Sequence, residues 1–362
     1  MKRKAKILVI VIIAVFIGNL INPRINFKNS IDNKLYPVSN ERFKSKLKSG
    51  NLSTDYDIKQ ALSDIDELNL NTVNIPVVIN IDSLDSSNMT IDEYSLNKAI
   101  DLIKKLKYKN VNVILEAYPW INNGAGYETQ WNPKDKEEFF YNWKNNILSV
   151  LIDKVANPYR VYAMNVASNL VYLENYDDKW CDIIDFVRNK YGGFITYRTC
   201  WWYTADWDKK TIKNFEKRLN NKLFSKVDFI SVAAYFELTD RENNTLDQLV
   251  QSINSSERFN RKQPIESQLE ELSKKWNKPI FFGELGFPRK NGCSIEPWNA
   301  FYSNVENENE QGRCFNAYKE VFEKKPWHLG FSIFAIGEKG EDKNYYPGKY
   351  GKEAIKDWYS SK

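Results

Sequence analysis

The sequence is poor in metal-binding side chains, with a single histidine, His328, four cysteines and no Cys-x-x-Cys pair. One histidine cannot build a multi-histidine metal site, and the cysteine spacing does not fit a zinc site. We therefore expect no metal and no other cofactor. Cys293 and Cys314 could form a disulfide if the domain folds outside the cytoplasm, and two buried free thiols remain the alternative.

The sequence also lacks a large excess of positive or negative charge. The net charge is +5 over 362 residues, and four positive charges stand at positions 2, 3, 4 and 6. The rest of the chain is close to neutral, so no basic surface argues for nucleic acid as a partner. The sequence has no internal repeat, no low-complexity segment and no Gly-rich phosphate loop. One domain is expected, and we expect a monomer.

The N-terminal segment predicts membrane targeting. Basic residues precede an apolar run from Ile7 to Gly18, which is short for a full span although flanking lysines can extend it. Neither an A-x-A-like cleavage site nor a lipobox cysteine follows. We interpret 1–21 as a retained signal-anchor helix, with a cleaved signal peptide as the second reading, and 22–40 as a linker. Residues 41–362 would then form a domain outside the membrane.

From about residue 50 onwards, short β-branched runs alternate with amphipathic segments. Seven strands are predicted at Thr72–Asn80, Val111–Tyr118, Val161–Ala167, Phe194–Tyr197, Asp228–Ala234, Pro279–Gly283 and Gly330–Ile336. Helices are predicted at Asp57–Asn69, Ile91–Leu106, Lys136–Val155, Trp180–Lys190, Thr211–Leu223, Ile265–Trp276, Glu310–Phe322 and Glu353–Tyr359. This pattern predicts the α/β class and a single (β/α)8 TIM barrel, provided that an eighth strand lies within 35–55. A doubly wound open sheet is the alternative, but it would normally carry a phosphate loop.

One stretch, Phe281 to Phe287, combines a buried strand with a carboxylate at its end. Gly283 allows a close turn of the backbone, and Glu284 follows immediately. An acid in this position is costly to bury unless it is used or paired, and catalytic groups of parallel barrels lie at this end of the strands. A purely structural glutamate is equally compatible with the stretch alone.

The other predicted strand ends carry carboxylates, amides and aromatic rings. They include Glu116, Trp120, Asn165, Trp201, Trp202, Tyr235 and Glu237. Aromatic rings stack on sugar faces, and acids and amides bind hydroxyl groups, so the rim suggests a groove for an oligo- or polysaccharide. Rim packing is the alternative for any single tryptophan.

At this point the chain resembles glycoside hydrolase family 113, a family of clan-A barrel enzymes that includes β-mannanases. The stretches that carry the resemblance are Trp131-Asn132-Pro133 with Phe139-Phe140, Ile195-Thr196-Tyr197, Val227 to Phe236, Lys278 to Phe287, Glu296-Pro297-Trp298, Gln311, Trp327 to Phe331 and Pro347-Gly348-Lys349. Their order and spacing run from about residue 55 to the end of the chain.

The resemblance implies a retaining glycosidase that needs two carboxylates. It implies that Glu284 is the nucleophile and Tyr235 the tyrosine that orients it, and it places Trp298 with the substrate-binding residues. The chain departs from the family where the acid/base glutamate should follow the fourth strand, because Asn169 stands there. It departs again in the last strand, where Phe334 to Gly337 replace a stretch that usually carries a tryptophan.

Several readings of Asn169 stay open. Glu237, Glu174 or Glu116 could supply the missing proton, or the alignment could be shifted by a few residues. Alternatively, the protein could be a non-catalytic glycan-binding relative, or an accessory of exopolysaccharide export. An amide cannot transfer the proton, and losing such help typically costs about 10²–10⁴-fold in rate.

Overall fold

The computed structural model describes residues 43–338 and 344–360. The predicted anchor at 1–21 and the predicted linker at 22–40 lie outside these ranges. In the part of the chain that is described, none of the helices has the length and apolar character needed to cross a bilayer.

Eight parallel strands close into a barrel, which confirms the predicted TIM-barrel fold. The strands are β1 (Leu47–Leu52), β2 (Thr72–Ile81), β3 (Met89–Ile91), β4 (Asn112–Ile121), β5 (Ala163–Ser168), β6 (Phe194–Thr199), β7 (Phe229–Ala233), β8 (Ile280–Leu285) and β9 (His328–Ile336). β1 pairs with β2 on one side and with β9 on the other, and β4 to β8 complete the ring. β3 is antiparallel to β2 and lies outside the ring.

The first strand lies within the predicted 35–55 window, and its weak sequence signal has a physical cause. β1 buries polar residues, among them Lys48 and Asn51, between Leu47 and Leu52. The Lys48 ammonium donates to the Lys356 carbonyl at 2.9 Å, and the Asn51 amide donates to the Gly283 carbonyl at 2.7 Å. Tertiary contacts therefore satisfy the hydrogen bonds of the buried polar side chains in β1. Because these residues are not apolar, hydrophobic patterning cannot detect the strand.

The helices surround the barrel. They are α1 (Ile58–Glu67), α2 (Glu93–Leu106), α3 (Lys136–Asn142), α4 (Asp177–Lys190), α5 (Lys209–Leu219), α6 (Leu223–Lys226), α7 (Leu246–Asn254), α8 (Ile265–Trp276), α9 (Glu308–Phe322) and α10 (Lys349–Asp357). α3 continues without a break through Trp143–Leu148, Ser149–Leu151 and Ile152–Ala156, of which the first and last are π-helical.

Some helix predictions need correction. The predicted helix Thr211–Leu223 extends too far, because α5 ends at Leu219 and the separate α6 begins at Leu223. The predicted start of α2 at Ile91 is wrong, because Ile91 belongs to β3 and pairs with Ile79 of β2. The helix is capped by the Asp92 side chain, which accepts from the Ser95 backbone amide at 2.7 Å. α7 was not predicted, although Thr245 and Gln248 form the reciprocal side-chain cap that signals a helix start.

The barrel interior is apolar at one end and polar at the other. Near the amino-terminal ends of the strands, a small cluster fills the barrel with Phe43, Leu47, Ile114, Ala163, Phe229, Phe281 and Leu329. The Phe43 ring lies 4.7 Å from that of Phe194, between ring centroids. Charged and amide side chains gather at the opposite, carboxyl end, where parallel barrels carry their sites.

Cys293 and Cys314 are buried free thiols, and their Sγ atoms lie 3.6 Å apart. Burial raises the pKa of the Cys314 thiol well above its ordinary value.

Candidate active site

Glu284 lies near the carboxyl end of β8, and the preceding glycine lets this strand lie close to its neighbours. A Cβ on Gly283 would lie 1.9 Å from Ser231 Oγ and 2.7 Å from Arg198 Nε. Any side chain there would collide with both, so glycine is required at this position. The close approach brings the Glu284 carboxylate next to Arg198.

Arg198 on β6 is the cation at the centre of the site, and sequence reasoning missed it. Its side chain is 3% exposed and lies between two carboxylates. Nη1 lies 2.7 Å from Glu284 Oε1 and 3.0 Å from Glu116 Oε1, and Nη2 lies 2.8 Å from Glu116 Oε2. Burial opposes its charge, but Glu116 and Glu284 outweigh burial and raise the pKa of Arg198. An arginine directly after the predicted strand Phe194–Tyr197 could have suggested a buried ion pair at the strand end.

Glu116 and Asn165 lie beneath the cleft in a hydrogen-bonded network. Ser168 Oγ donates to Glu116 Oε1 at 2.5 Å and accepts from Asn165 Nδ2 at 2.6 Å. Asn74 Nδ2 donates to Glu116 Oε2 at 3.3 Å. With Arg198 also bound, the Glu116 carboxylate accepts from three side chains and holds Arg198 in place.

Asn169 follows β5 directly, with a left-handed backbone φ of 56°. Its backbone amide donates to the Arg198 carbonyl at 3.0 Å. Its side-chain Nδ2 donates to Glu284 Oε1 at 3.1 Å and to Glu128 Oε1 at 3.2 Å. The amide that stands in place of the expected acid thus links two carboxylates.

Glu128, the second of these carboxylates, was not a predicted site residue. It begins a short 3₁₀ turn, Glu128–Gln130, in the long connection after β4. Burial and then the charge of Glu284 raise the pKa of its carboxyl to about 7. The connection carries no regular pattern, and only the buried Trp131 that follows hints that it folds back on the barrel.

Tyrosines and a phenylalanine line the cleft beside Glu284. Burial and then the Glu284 charge raise the pKa of Tyr235 well above its ordinary value, and its hydroxyl is hydrogen-bonded to Glu284. Burial and then the charges of nearby carboxylates also raise the pKa values of Tyr118 and Tyr345. The Tyr235 and Tyr345 rings each meet Phe334 edge to face. Phe334 therefore lies in the aromatic wall.

Glu237 belongs to a separate cluster of ion pairs. Its carboxylate lies 2.5 Å from Arg261 Nη1 and 3.8 Å from Arg258 Nε. The indole of Trp298, which is 46% exposed, donates to Glu237 Oε1 at 3.1 Å. Glu237 is therefore paired in this cluster, and the Trp298 ring beside it remains exposed.

The three other predicted tryptophans lie in different environments. Trp120 and Trp201 are partly exposed, and Trp201 packs against the core. Trp202 is 6% exposed, its ring stacks on Phe215, and its indole donates to Gln268 Oε1 at 2.9 Å. The Trp202 ring is thus occupied by protein neighbours.

The fourth carboxylate considered from the sequence, Glu174, is also paired. It is buried and accepts from Arg218 Nε at 3.1 Å.

Comparison with known proteins agrees with the fold. The family model described as Glycoside Hydrolase Family 113 matches residues 42–346. No curated protein is significantly similar to this chain.

Solved structures with this fold include two described as family 113 β-1,4-mannanases. One has a TM-score of 0.67 at 19% identity and the other 0.63 at 21%, and each match covers 88% of this chain and 100% of the other. The family 113 β-mannanase from Alicyclobacillus acidocaldarius, in complex with ManMIm, has a TM-score of 0.64 at 15% identity, covering 86% of this chain and 96% of that one.

Proposed function

The chain belongs to glycoside hydrolase family 113, and from that premise we propose that it hydrolyses a β-mannan-type or related cell-surface glycan with retention of configuration. Glu284 is the nucleophile in this proposal. The observation that carries it is the set of donors around Glu284, namely Arg198, Asn169 and Tyr235.

These donors suit a nucleophile. The Glu284 side chain is 13% exposed, so it is largely shielded yet reachable from the cleft. Arg198 at 2.7 Å and the amide of Asn169 at 3.1 Å both donate to Glu284 Oε1 and fix the orientation of the carboxylate. A carboxylate that is ionised and fixed in orientation can attack an anomeric carbon without first losing a proton.

The proposed reaction has two displacements. A Glu284 oxygen first forms a bond to the anomeric carbon while the bond to the leaving oxygen breaks and that oxygen takes up a proton. Water then attacks the same carbon, losing a proton, and the bond to Glu284 breaks. Two inversions give net retention.

Tyr235 orients the nucleophile. Its raised pKa keeps the hydroxyl protonated at neutral pH, so it can donate to Glu284. In the covalent intermediate Glu284 carries no charge and the donated hydrogen bond weakens. Tyr235 is therefore a positioning group for the carboxylate and does not transfer a proton itself.

Support for the sugar class comes from the relatives that share the fold, which are described as β-mannanases. In this chain Tyr118, Tyr345 and Phe334 offer aromatic surface beside Glu284. Trp120, near the end of β4, and Trp298, in the connection after β8, are further rings with exposed surface. Such surfaces suit the apolar faces of hexopyranose rings. The partner is therefore an oligo- or polysaccharide.

The N-terminal segment adds a location to the proposal. A basic segment and a short apolar run at 1–21 suit an anchor or a secretory signal, with the barrel, as a monomer, on the outer side of the membrane. Protease added to intact cells should then degrade the barrel. Complete protection of the barrel in intact cells, together with degradation after lysis, would refute this location.

The proposed function is tested with β-1,4-mannooligosaccharides and proton NMR of the first product formed. Retention is expected for the wild-type protein, and Glu284→Gln should abolish turnover while leaving the unfolding transition intact. Glu271→Gln, an exposed glutamate on α8, is the matched control and should behave as wild type. Turnover that survives in Glu284→Gln would refute the nucleophile assignment.

A glycan-binding protein without turnover is the second candidate, and Asn169 is the observation that favours it. Binding of mannooligosaccharides by calorimetry with no hydrolysis in long incubations would decide for it.

A further inference from the structure

We propose that Glu128, from the connection after β4, is the general acid/base of this site and replaces the carboxylate that Asn169 cannot supply. This inference rests on the proposed function, in which Glu284 is the nucleophile. It assigns the second catalytic role to a residue at a position different from the one that the family pattern implies.

Glu128 lies close enough to Glu284 for a retaining pair of carboxylates. One atom, Asn169 Nδ2, lies 3.1 Å from Glu284 Oε1 and 3.2 Å from Glu128 Oε1. The two carboxylate oxygens can therefore be no farther apart than the sum of these two lengths. Even that upper limit lies below the roughly 6.5–9.5 Å of inverting glycosidases, and it leaves room for the about 5–5.5 Å of retaining ones.

The turn that carries Glu128 is anchored by backbone hydrogen bonds and by the buried Trp131 ring. The Trp131 backbone amide donates to the Glu128 carbonyl at 3.2 Å, and the Gln130 amide donates to the Tyr127 carbonyl at 2.9 Å. The Trp131 ring is fully buried and its indole donates to the Ser86 carbonyl at 3.0 Å. A catalytic group needs such support to keep its geometry.

The surroundings of the Glu128 carboxyl also suit a group that holds a proton. The titratable and charged groups that face Glu128 are Glu284, Glu116, Tyr118 and Cys200, and Arg198 pairs with both Glu284 and Glu116. Burial and then the Glu284 charge raise the pKa of Glu128 to about 7, while the Asn169 hydrogen bond acts in the opposite direction. At neutral pH Glu128 can thus hold a proton and still release it, as a general acid must.

The electrostatic interaction between Glu284 and Glu128 also lets Glu128 act as a base at the second step. Once Glu284 is bonded to the sugar, its negative charge is gone, and one of the causes that raise the Glu128 pKa is removed. The pKa of Glu128 should fall, so the carboxylate left after the first step can accept a proton from water.

The other nearby carboxylates are less suited to this role. Glu116 is bound by Arg198, Glu237 by Arg261, and Glu174 by Arg218. Each of these carboxylates is therefore already engaged in an ion pair with an arginine. Among the described contacts of the Glu128 side chain, the partner is the neutral amide of Asn169.

The reaction balances with these groups alone. The Glu128 O–H bond breaks and its proton bonds to the glycosidic oxygen, as the Glu284 oxygen bonds to the anomeric carbon and the leaving oxygen keeps the electron pair. Water then gives a proton to Glu128 and its oxygen to the anomeric carbon, and the Glu284 ester bond breaks with its electron pair returning to Glu284.

The test compares Glu128→Ala with the wild-type protein on two substrates, a mannooligosaccharide and a dinitrophenyl β-mannoside. The oligosaccharide needs a proton on its leaving group, and we expect a loss of about 10²–10⁴-fold. The dinitrophenyl group leaves without a proton, so formation of the glycosyl-enzyme should be largely kept. Azide should then accelerate turnover and yield the β-mannosyl azide, because azide needs no general base. Glu138→Ala, an exposed glutamate on α3, is the control and should resemble wild type.

Two kinetic results would overturn the role of Glu128. One is oligosaccharide turnover by Glu128→Ala within about twofold of wild type, since an essential acid cannot be dispensable. The other is an equal loss on both substrates with no response to azide, which would indicate a merely structural contribution.

A titration separates failure of this inference from failure of the proposed function. If the wild-type protein hydrolyses neither mannoside, the proposed substrate class is refuted, and Glu128 is then judged by carbon-13 NMR of its carboxyl. A titration midpoint of Glu128 near 7 in the wild-type protein and at a lower pH in Glu284→Gln supports the acid/base role. A midpoint near the ordinary 4.5 in both proteins overturns it.

Discussion

Arg198 is the residue on which the charge balance of the cleft depends. It is the buried cation between Glu116 and Glu284. Removing one partner of a buried ion pair leaves the other charge uncompensated, which typically costs about 3–5 kcal/mol. Two carboxylates are left facing each other here, so we expect Arg198→Met to lower the free energy of unfolding by at least that range and to abolish activity.

Urea unfolding of Arg198→Met checks this expectation. Lys109→Met is the comparison, because it removes an exposed ion pair with Asp66 at 2.7 Å, and such pairs contribute about 0–1 kcal/mol. Similar small losses in both variants would show that Arg198 does not hold a charged pair of carboxylates.

Glu128 should make stability depend on pH in an unusual direction. Its pKa is raised from 4.5 to about 7, so the folded protein holds the proton more tightly than the unfolded chain does. Below pH 4.5 the group is protonated in both states and has no effect. As pH rises from there to 7, the unfolded chain ionises first and the folded state loses stability.

Glu128→Gln should therefore be more stable than the wild-type protein at pH 8, by up to about 3 kcal/mol, and equally stable at pH 4. Because the side chain is partly exposed, that figure is an upper limit. Thermal unfolding at both pH values checks the prediction, and a variant that is less stable at pH 8 would contradict it. Gain of stability on loss of a catalytic group is the expected trade-off at an active site.

At the scale of elements, β8 depends on the absence of a side chain at Gly283. A methyl group there would meet Ser231 Oγ at 1.9 Å and Arg198 Nε at 2.7 Å. Because backbone or side chains must shift to accommodate it, we expect Gly283→Ala to lose at least about 1–3 kcal/mol of stability and most activity. Gly126→Ala, whose new Cβ would meet Ile121 and Leu84 side chains at 3.1 Å, should cost less. Thermal unfolding of both variants provides the measurement, and equal effects would argue against close packing at β8.

Hydrophobic patterning predicted seven of the eight barrel strands, because those strands are buried apolar runs. It could not locate β1, where Lys48 and Asn51 are satisfied by carbonyls of α10 and β8 that are distant in sequence. It also missed α7, for which the end-capping pair Thr245 and Gln248 was the available signal.

The candidate site was predictable to the extent that strand ends could be located. Glu284, Tyr235 and Asn169 follow strands directly, and the structure brings them together. Arg198 directly follows the predicted strand Phe194–Tyr197 and could have been included by the same rule. Glu128 lies in a connection without periodicity, so it could not be placed before the barrel was closed. Trp202 was predicted to bind sugar, but sequence alone does not distinguish a tryptophan packed by Phe215 from an exposed one.

For the whole molecule, the barrel gathers into one cleft groups that come from many separate parts of the chain. Glu128 comes from the β4 connection, Asn169 follows β5, Arg198 lies on β6, Tyr235 follows β7 and Glu284 lies on β8. The two proposed catalytic carboxylates are separated by more than 150 residues of sequence and joined by a single amide. Catalysis by this arrangement therefore requires the closed barrel.

The central proposal is that Glu284 forms a covalent bond to the sugar. The most direct measurement treats the protein with 2-deoxy-2-fluoro-β-mannosyl fluoride and locates the adduct by mass spectrometry of peptides. The fluorine slows both steps, and the good leaving group restores the first, so the intermediate accumulates. We expect one fluoromannosyl group on the peptide that contains Glu284, and none in Glu284→Gln. An adduct on a different carboxylate, or hydrolysis of mannooligosaccharides with inverted configuration and no adduct, would contradict the proposal.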